Sequence, residues 1–120
     1  MSIGMKYAKF YSHSVRALSG LSAQQLLMYI HFASEVKMSK NELSLTRSDK
    51  DKAAGIVGIK PNSVNNILSK YCRLNLMTNL GGGVFILNPS VTNRGRFESW
   101  ASMLMKYTDA RAKAREKKIL

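Results

Sequence analysis

A mainly α fold with a small β wing, a winged helix-turn-helix extended by a long C-terminal helix, is predicted by three stretches of this 120-residue chain. Residues 48–73 read as two short helices around a glycine turn. Residues 74–89 read as two strands joined at three glycines, and the chain beyond residue 95 carries a helical period that ends in basic residues. The length suits one domain. Its expected parts are an N-terminal arm over 1–20, the winged helix-turn-helix over 21–89, and a helix with a basic tail over 95–118, serving dimerisation or docking.

Composition narrows the classes. Apolar residues make up 45% of the chain, enough to build a core and too many for wholesale disorder. Lys and Arg number 19 against 7 Asp and Glu, a net charge of +12 with a pI near 10.2. That balance is the footprint of a nucleic-acid binder, with a basic ribosomal-type or membrane-surface protein as the other options. Cys72 is the single cysteine, so no intramolecular disulfide can form, and its place in a helical pattern suits packing better than nucleophilic chemistry. The N-terminus lacks the apolar core of a secretory signal and no stretch suits a membrane span, so a cytoplasmic, nucleoid- or plasmid-associated protein is expected.

In chain order, the arm mixes Lys6, Lys9 and Arg16 with Tyr7, Phe10 and Tyr11, and Tyr7, Phe10, Tyr11 and Val15 can share one helical side. Packing on the body or on a second subunit is one use for these aromatics, and touching DNA is the other. Ser22 followed by Gln25 is a capping box, opening a helix from Leu21 to about Lys37 with a stripe of Leu26, Tyr29, Ile30 and Ala33. His31 belongs on its polar or boundary side. Residues 38–41 read as polar loop, and 42–46 alternate like a short strand. Ser48 with Asp51 reads as a second cap-and-acid pair, and Ala53, Ala54, Ile56 and Val57 carry that helix inward, Ala54 and Gly55 permitting close helix approach.

The richest stretch is GIKPNSVNNILSKYCR, residues 58–73. Gly58 permits a tight turn and Pro61 suits a first helical turn, where its missing N–H has no partner to lose. Val64, Ile67, Leu68 and Tyr71 then fall on one side. The other side presents Asn62, Ser63, Asn65, Asn66, Ser69, Lys70 and Arg73, with no acid among them. Asparagine is a below-average helix former, so its recurrence needs another reason. Its amide can pair bidentately with adenine in the major groove, which makes Asn62, Ser63, Asn65, Asn66 and Ser69 candidate base contacts and Lys60, Lys70 and Arg73 candidate phosphate contacts. An ordinary solvated face with local capping is the plainer explanation.

Gly81, Gly82 and Gly83 sit between apolar runs as the tip of a wing, and Asn88-Pro89 closes the second strand. No Lys-Ser or Lys-Thr follows the glycines, so they do not form a phosphate-cradling loop. Phe97, Trp100, Leu104 and Tyr107 mark a dimer or docking seam, and RAKAREKK, residues 111–118, is a solvated helix end with spare phosphate-binding charge.

Catalytic and metal motifs are absent from the sequence. His13, His31 and Cys72 lack the spacing of a zinc site, and neither histidine belongs to an acyl-transfer motif. No enzyme, cofactor, metal or small-molecule ligand is expected.

The residues from Phe10 to Leu21 ahead of the first helix, the turn Gly58-Ile59-Lys60-Pro61-Asn62-Ser63-Val64, and Gly83-Val84-Phe85-Ile86-Leu87-Asn88-Pro89 followed by Arg94-Gly95-Arg96-Phe97 resemble RepL-type plasmid replication proteins, and more distantly MarR-type repressors. The resemblance runs roughly from Phe10 to Phe97. It implies a plasmid, phage or mobile-element protein that binds specific duplex DNA, acting in transcription, replication or segregation. A homodimer on half-sites about one helical turn apart is then expected. A winged-helix protein-interaction module and a nonspecific RNA or single-strand binder are the alternatives.

Overall fold

The computed structural model describes residues 9–10, 14–36, 41–93 and 100–117. It is mainly helical with a small three-stranded antiparallel sheet. Within the expected arm, β1 (Lys9–Phe10) pairs with β5 (Thr92–Asn93), and α1 (Ser14–Leu18) follows as a short helix. Phe10 is therefore extended and shares no helical side with Val15, while Tyr7, Tyr11 and His13 lie outside the described residues.

The capping box predicted at Ser22 is present. The Gln25 N–H donates to Ser22 Oγ at 3.2 Å, and the Ser22 N–H donates to Gln25 Oε1 at 3.0 Å. It opens α2 (Ala23–Glu35). The buried face of α2 differs from the predicted stripe: Met28, Tyr29, Phe32 and Ala33 are inside, and Ile30 is 45% exposed. Leu26 and Ile30 satisfy the helical period as well as Met28 and Phe32 do, and the aromatic ring of Phe32 fills more of the core.

β2 (Glu42–Ser44) leads into α3 (Arg47–Val57), whose cap is Thr46 with Asp49 as its partner. The box therefore sits two residues ahead of the predicted Ser48–Asp51 pair. Thr46 wins because β2 ends at Ser44 and leaves Thr46 extended, the backbone shape that a cap needs. Ala53 and Ala54 are buried on α3, whereas Gly55 is exposed, so close helix approach rests on the two alanines. Gly58 terminates α3 in the left-handed region at φ 82°, its N–H donating to the Ala54 carbonyl at 2.8 Å.

A 3₁₀ turn at Pro61–Ser63 runs directly into α4 (Val64–Arg73). All four residues of the predicted inner face are buried, joined by Cys72. Asn75 then turns the chain at φ 61° into β3 (Met77–Gly81), and β4 (Val84–Leu87) returns antiparallel. The strand order is β2-β4-β3.

Asn41, expected in polar loop, is buried in the left-handed region at φ 55°. Its amide donates to the carbonyls of Leu87 (2.9 Å) and Thr92 (3.0 Å), tying the start of β2 to the end of β4 and the start of β5.

Both faces of the sheet are covered. Leu43, Phe85, Met77 and Leu87 belong to the core with α2, α3 and α4. On the other face, Glu42, Ile86 and Thr78 align across the three strands. α5 (Trp100–Lys117) lies over that row, with Lys106 paired to Glu42 and Arg111 Nη1 within 3.5 Å of Thr78 Oγ1. The helix start predicted near Gly95 lies outside the described residues. No helix among the described residues is long and apolar enough to cross a membrane.

Candidate nucleic-acid interface

α4 is presented by a rigid seat. Its buried side packs into the core, and its third turn is fastened to the start of α2: Tyr71 donates its hydroxyl to the Gln25 carbonyl at 2.5 Å, and Lys70 Nζ donates to Gln25 Oε1 at 2.8 Å. The Tyr71 ring meets Tyr29 edge to face at 5.4 Å, and burial pushes both phenols well above their ordinary pKa. Cys72 is buried beneath the same helix and its thiol is pushed up by burial, consistent with a packing role.

The outward surface of this segment divides into two rows. Asn62, Asn65 and Ser69 form one, and Ser63, Asn66, Lys70 and Arg73 the other, each at steps of three and four. Asn62, Asn65, Asn66, Ser69 and Arg73 are exposed, and Ser63 and Lys70 are half-buried. The first row faces α3 and the hairpin. An open groove of about 660 Å³ runs between α3 and the start of α4, lined by Arg47, Lys50, Asp51, Lys60, Asn62 and Asn65. A second, of about 310 Å³, continues between α4 and the hairpin, where Lys50, Asn65 and Ser69 face Asn79 and Gly81 to Gly83.

Lys50 lines both grooves. Arg47, Lys50 and Asn79 line these grooves without belonging to the Asn-rich pattern of residues 58–73. The signal for the first two was the Thr46 cap, which sets Arg47 and Lys50 three apart and hence on one side of α3. Folding also brings an acid, Asp51, into the first groove. Asp49 is committed elsewhere: the Thr46 N–H and hydroxyl donate to its carboxylate, both at 2.9 Å, and hold it below the usual carboxylate range.

At the hairpin tip, Gly81, Gly82 and Gly83 all have positive φ. A side chain at Gly83 would also strike the Leu45 carbonyl oxygen, 2.7 Å from the position of its Cβ. The tip therefore offers backbone and no basic side chain.

The seam predicted on the last helix docks within its own chain. Met103, Tyr107 and Ala114 are buried, Trp100 and Leu104 are half-buried, and Phe97 lies outside the described residues. Trp100 Nε1 donates to the Pro89 carbonyl at 3.3 Å, and the Tyr107 hydroxyl donates to Asn75 Oδ1 at 2.7 Å. Of the two histidines, His31 is half-buried with its ring 5.8 Å from that of Phe32. Among the described residues no group of three or more His, Cys, Asp or Glu could hold a metal ion.

Comparison with protein-family models, curated proteins and solved structures found no match to this chain.

Proposed function

We propose that the chain is a winged helix-turn-helix protein that binds duplex DNA in a sequence-specific manner, with α3 and α4 as the helix-turn-helix and the β3–β4 hairpin as the wing. One observation carries this reading: α4 and the turn before it expose Asn62, Asn65, Asn66, Ser69 and Arg73 with no acid among them, on a helix whose other face is locked into the core. Side-chain amides there can read base edges in the major groove. Arg47, Lys50 and Lys60 border the same surface and supply phosphate contacts that fix the register, joined by Lys70 and Arg73 on the second row. The glycine tip, free of side chains, lets the hairpin backbone come close to the duplex.

The setting implied by the resemblance to RepL-type proteins is an origin or operator of a plasmid, phage or other mobile element. Two copies would occupy half-sites about one helical turn apart. With the α5 seam docked in its own chain, the second copy would meet another surface.

The test is selection of random duplexes at near-physiological salt, followed by sequencing of the bound pool. An enriched, palindromic motif is the expected result. Binding without enrichment points to charge-driven association, and no binding overturns the proposal. Asn65→Ala with Asn66→Ala should then cost about 1–3 kcal/mol for each base that an amide reads, and relax the selected motif at matching positions.

A further inference from the structure

α2 and α3 both begin with a capping box, and the two differ in the partner residue. α3 uses the acid Asp49, and α2 uses the neutral Gln25. Either Glu or Gln serves a capping box, and an acid in the first turn also suits the helix dipole. By helix energetics alone, Glu would be at least as good at position 25.

The surroundings supply the reason for Gln. Gln25 Oε1 accepts two hydrogen bonds, from the Ser22 N–H at 3.0 Å and from Lys70 Nζ at 2.8 Å, while the Gln25 carbonyl accepts the Tyr71 hydroxyl. One side chain thus closes the cap of α2 and fixes the amine of α4. Lys70 lies on the row with Asn66 and Arg73, one turn from each. An ammonium has three donors. The one spent on a neutral amide leaves its full charge and two N–H groups for an outside acceptor, whereas a carboxylate at position 25 would pair with the amine and cancel that charge.

We infer that Gln25 is a positioning residue for Lys70: the capping box holds the lysine amine directed at a backbone phosphate of bound duplex, and position 25 is neutral so that the amine stays available. The inference rests on the DNA-binding reading above. Lys70 would contact phosphate in any sequence, so a mixed-sequence duplex a few helical turns long is a sufficient probe.

The experiment compares wild type, Gln25→Glu, Lys70→Gln and the double variant by thermal unfolding and by duplex affinity across a salt series. Gln25→Glu keeps the capping box, so its melting temperature is expected to equal or exceed that of wild type. Its affinity is expected to fall about tenfold, the scale of one charged hydrogen bond. The slope of log affinity against log salt should flatten by about 0.9, one phosphate contact. Lys70→Gln should show the same flattening, and adding Gln25→Glu to it should change the slope no further.

Wild-type affinity and slope in Gln25→Glu would overturn the positioning role while leaving DNA binding intact. The same would follow if Gln25→Glu cost as much in the Lys70→Gln background, because the effect would then be diffuse repulsion. A wild-type protein that binds no duplex overturns the DNA-binding reading and this inference together.

Discussion

The two faces of the small sheet are covered by different chemistry. On the inner face, Leu43, Phe85, Met77 and Leu87 meet α2, α3 and α4 in one apolar cluster. On the outer face, α5 contributes Met103, Tyr107 and Ala114 and otherwise holds on through polar anchors: Trp100 to Pro89, Tyr107 to Asn75, Lys106 to Glu42, and Arg111 Nη1 3.4 Å from the Met77 carbonyl. Apolar burial scales with area and tolerates no hole. Each polar anchor contributes a modest net amount and fixes position more than it adds stability. The inner face is therefore expected to carry global stability and the seat of α4, and the outer face to fix where α5 lies.

The largest effect should come from the inner layer. Leu68 is 2% exposed and sits on α4 within the cluster, so Leu68→Ala combines lost transfer energy with a cavity. A loss of about 2–5 kcal/mol in urea unfolding is expected, a large share of the stability of roughly 5–15 kcal/mol that a domain has. A loss under about 1 kcal/mol, the size of a single net hydrogen bond, would mean that the inner face does not dominate.

An intermediate effect belongs to the outer layer. Tyr107→Phe keeps the ring and removes the hydroxyl that donates to Asn75 Oδ1, at the left-handed turn between α4 and β3. A loss of about 0.5–1.5 kcal/mol is expected in the same assay. A loss matching that of Leu68→Ala would erase the distinction between the faces.

The same contrast explains what the sequence disclosed. α4 was legible because its buried positions repeat at helical spacing and their neighbours are all polar, so period and surface chemistry agree. The turn at Gly58 and the cap at Ser22 are local motifs with a fixed geometry, and both are present. α5 was harder, because a helix held by polar anchors has no clean apolar stripe. Met103, Tyr107 and Ala114 are its buried positions, and Leu104 of the predicted seam is only half-buried. The uninterrupted Val84-Phe85-Ile86-Leu87 held the clue, since a strand without polar alternation is covered on both sides.

Asn41 and Lys50 were illegible for another reason. The carbonyls that Asn41 binds belong to Leu87 and Thr92, far along the chain, and Lys50 acquires its meaning when Asn65 and the hairpin come alongside. Tertiary proximity, which no local pattern encodes, makes both of them significant. The cap at Thr46 shows a milder form: two overlapping cap-and-acid pairs are available, and the end of β2 selects between them.

The smallest expected effect tests how the outer face divides its work. Lys106 and Glu42 form the one ion pair seen among the described residues, linking α5 to β2 across the sheet, with side chains 49% and 20% exposed. Water and salt reach such a pair, and ordering a lysine offsets part of the attraction, so Glu42→Gln should cost less than about 1 kcal/mol at low salt. Near 1 M salt the screening length drops to about 3 Å and the difference should vanish. A larger loss that persists in high salt would require Glu42 to act through its strand, because its neighbour across the ladder is Ile86, fully buried on that face. The double variant with Lys106→Met separates the two: a charge effect disappears once Lys106 is gone, and a strand effect does not.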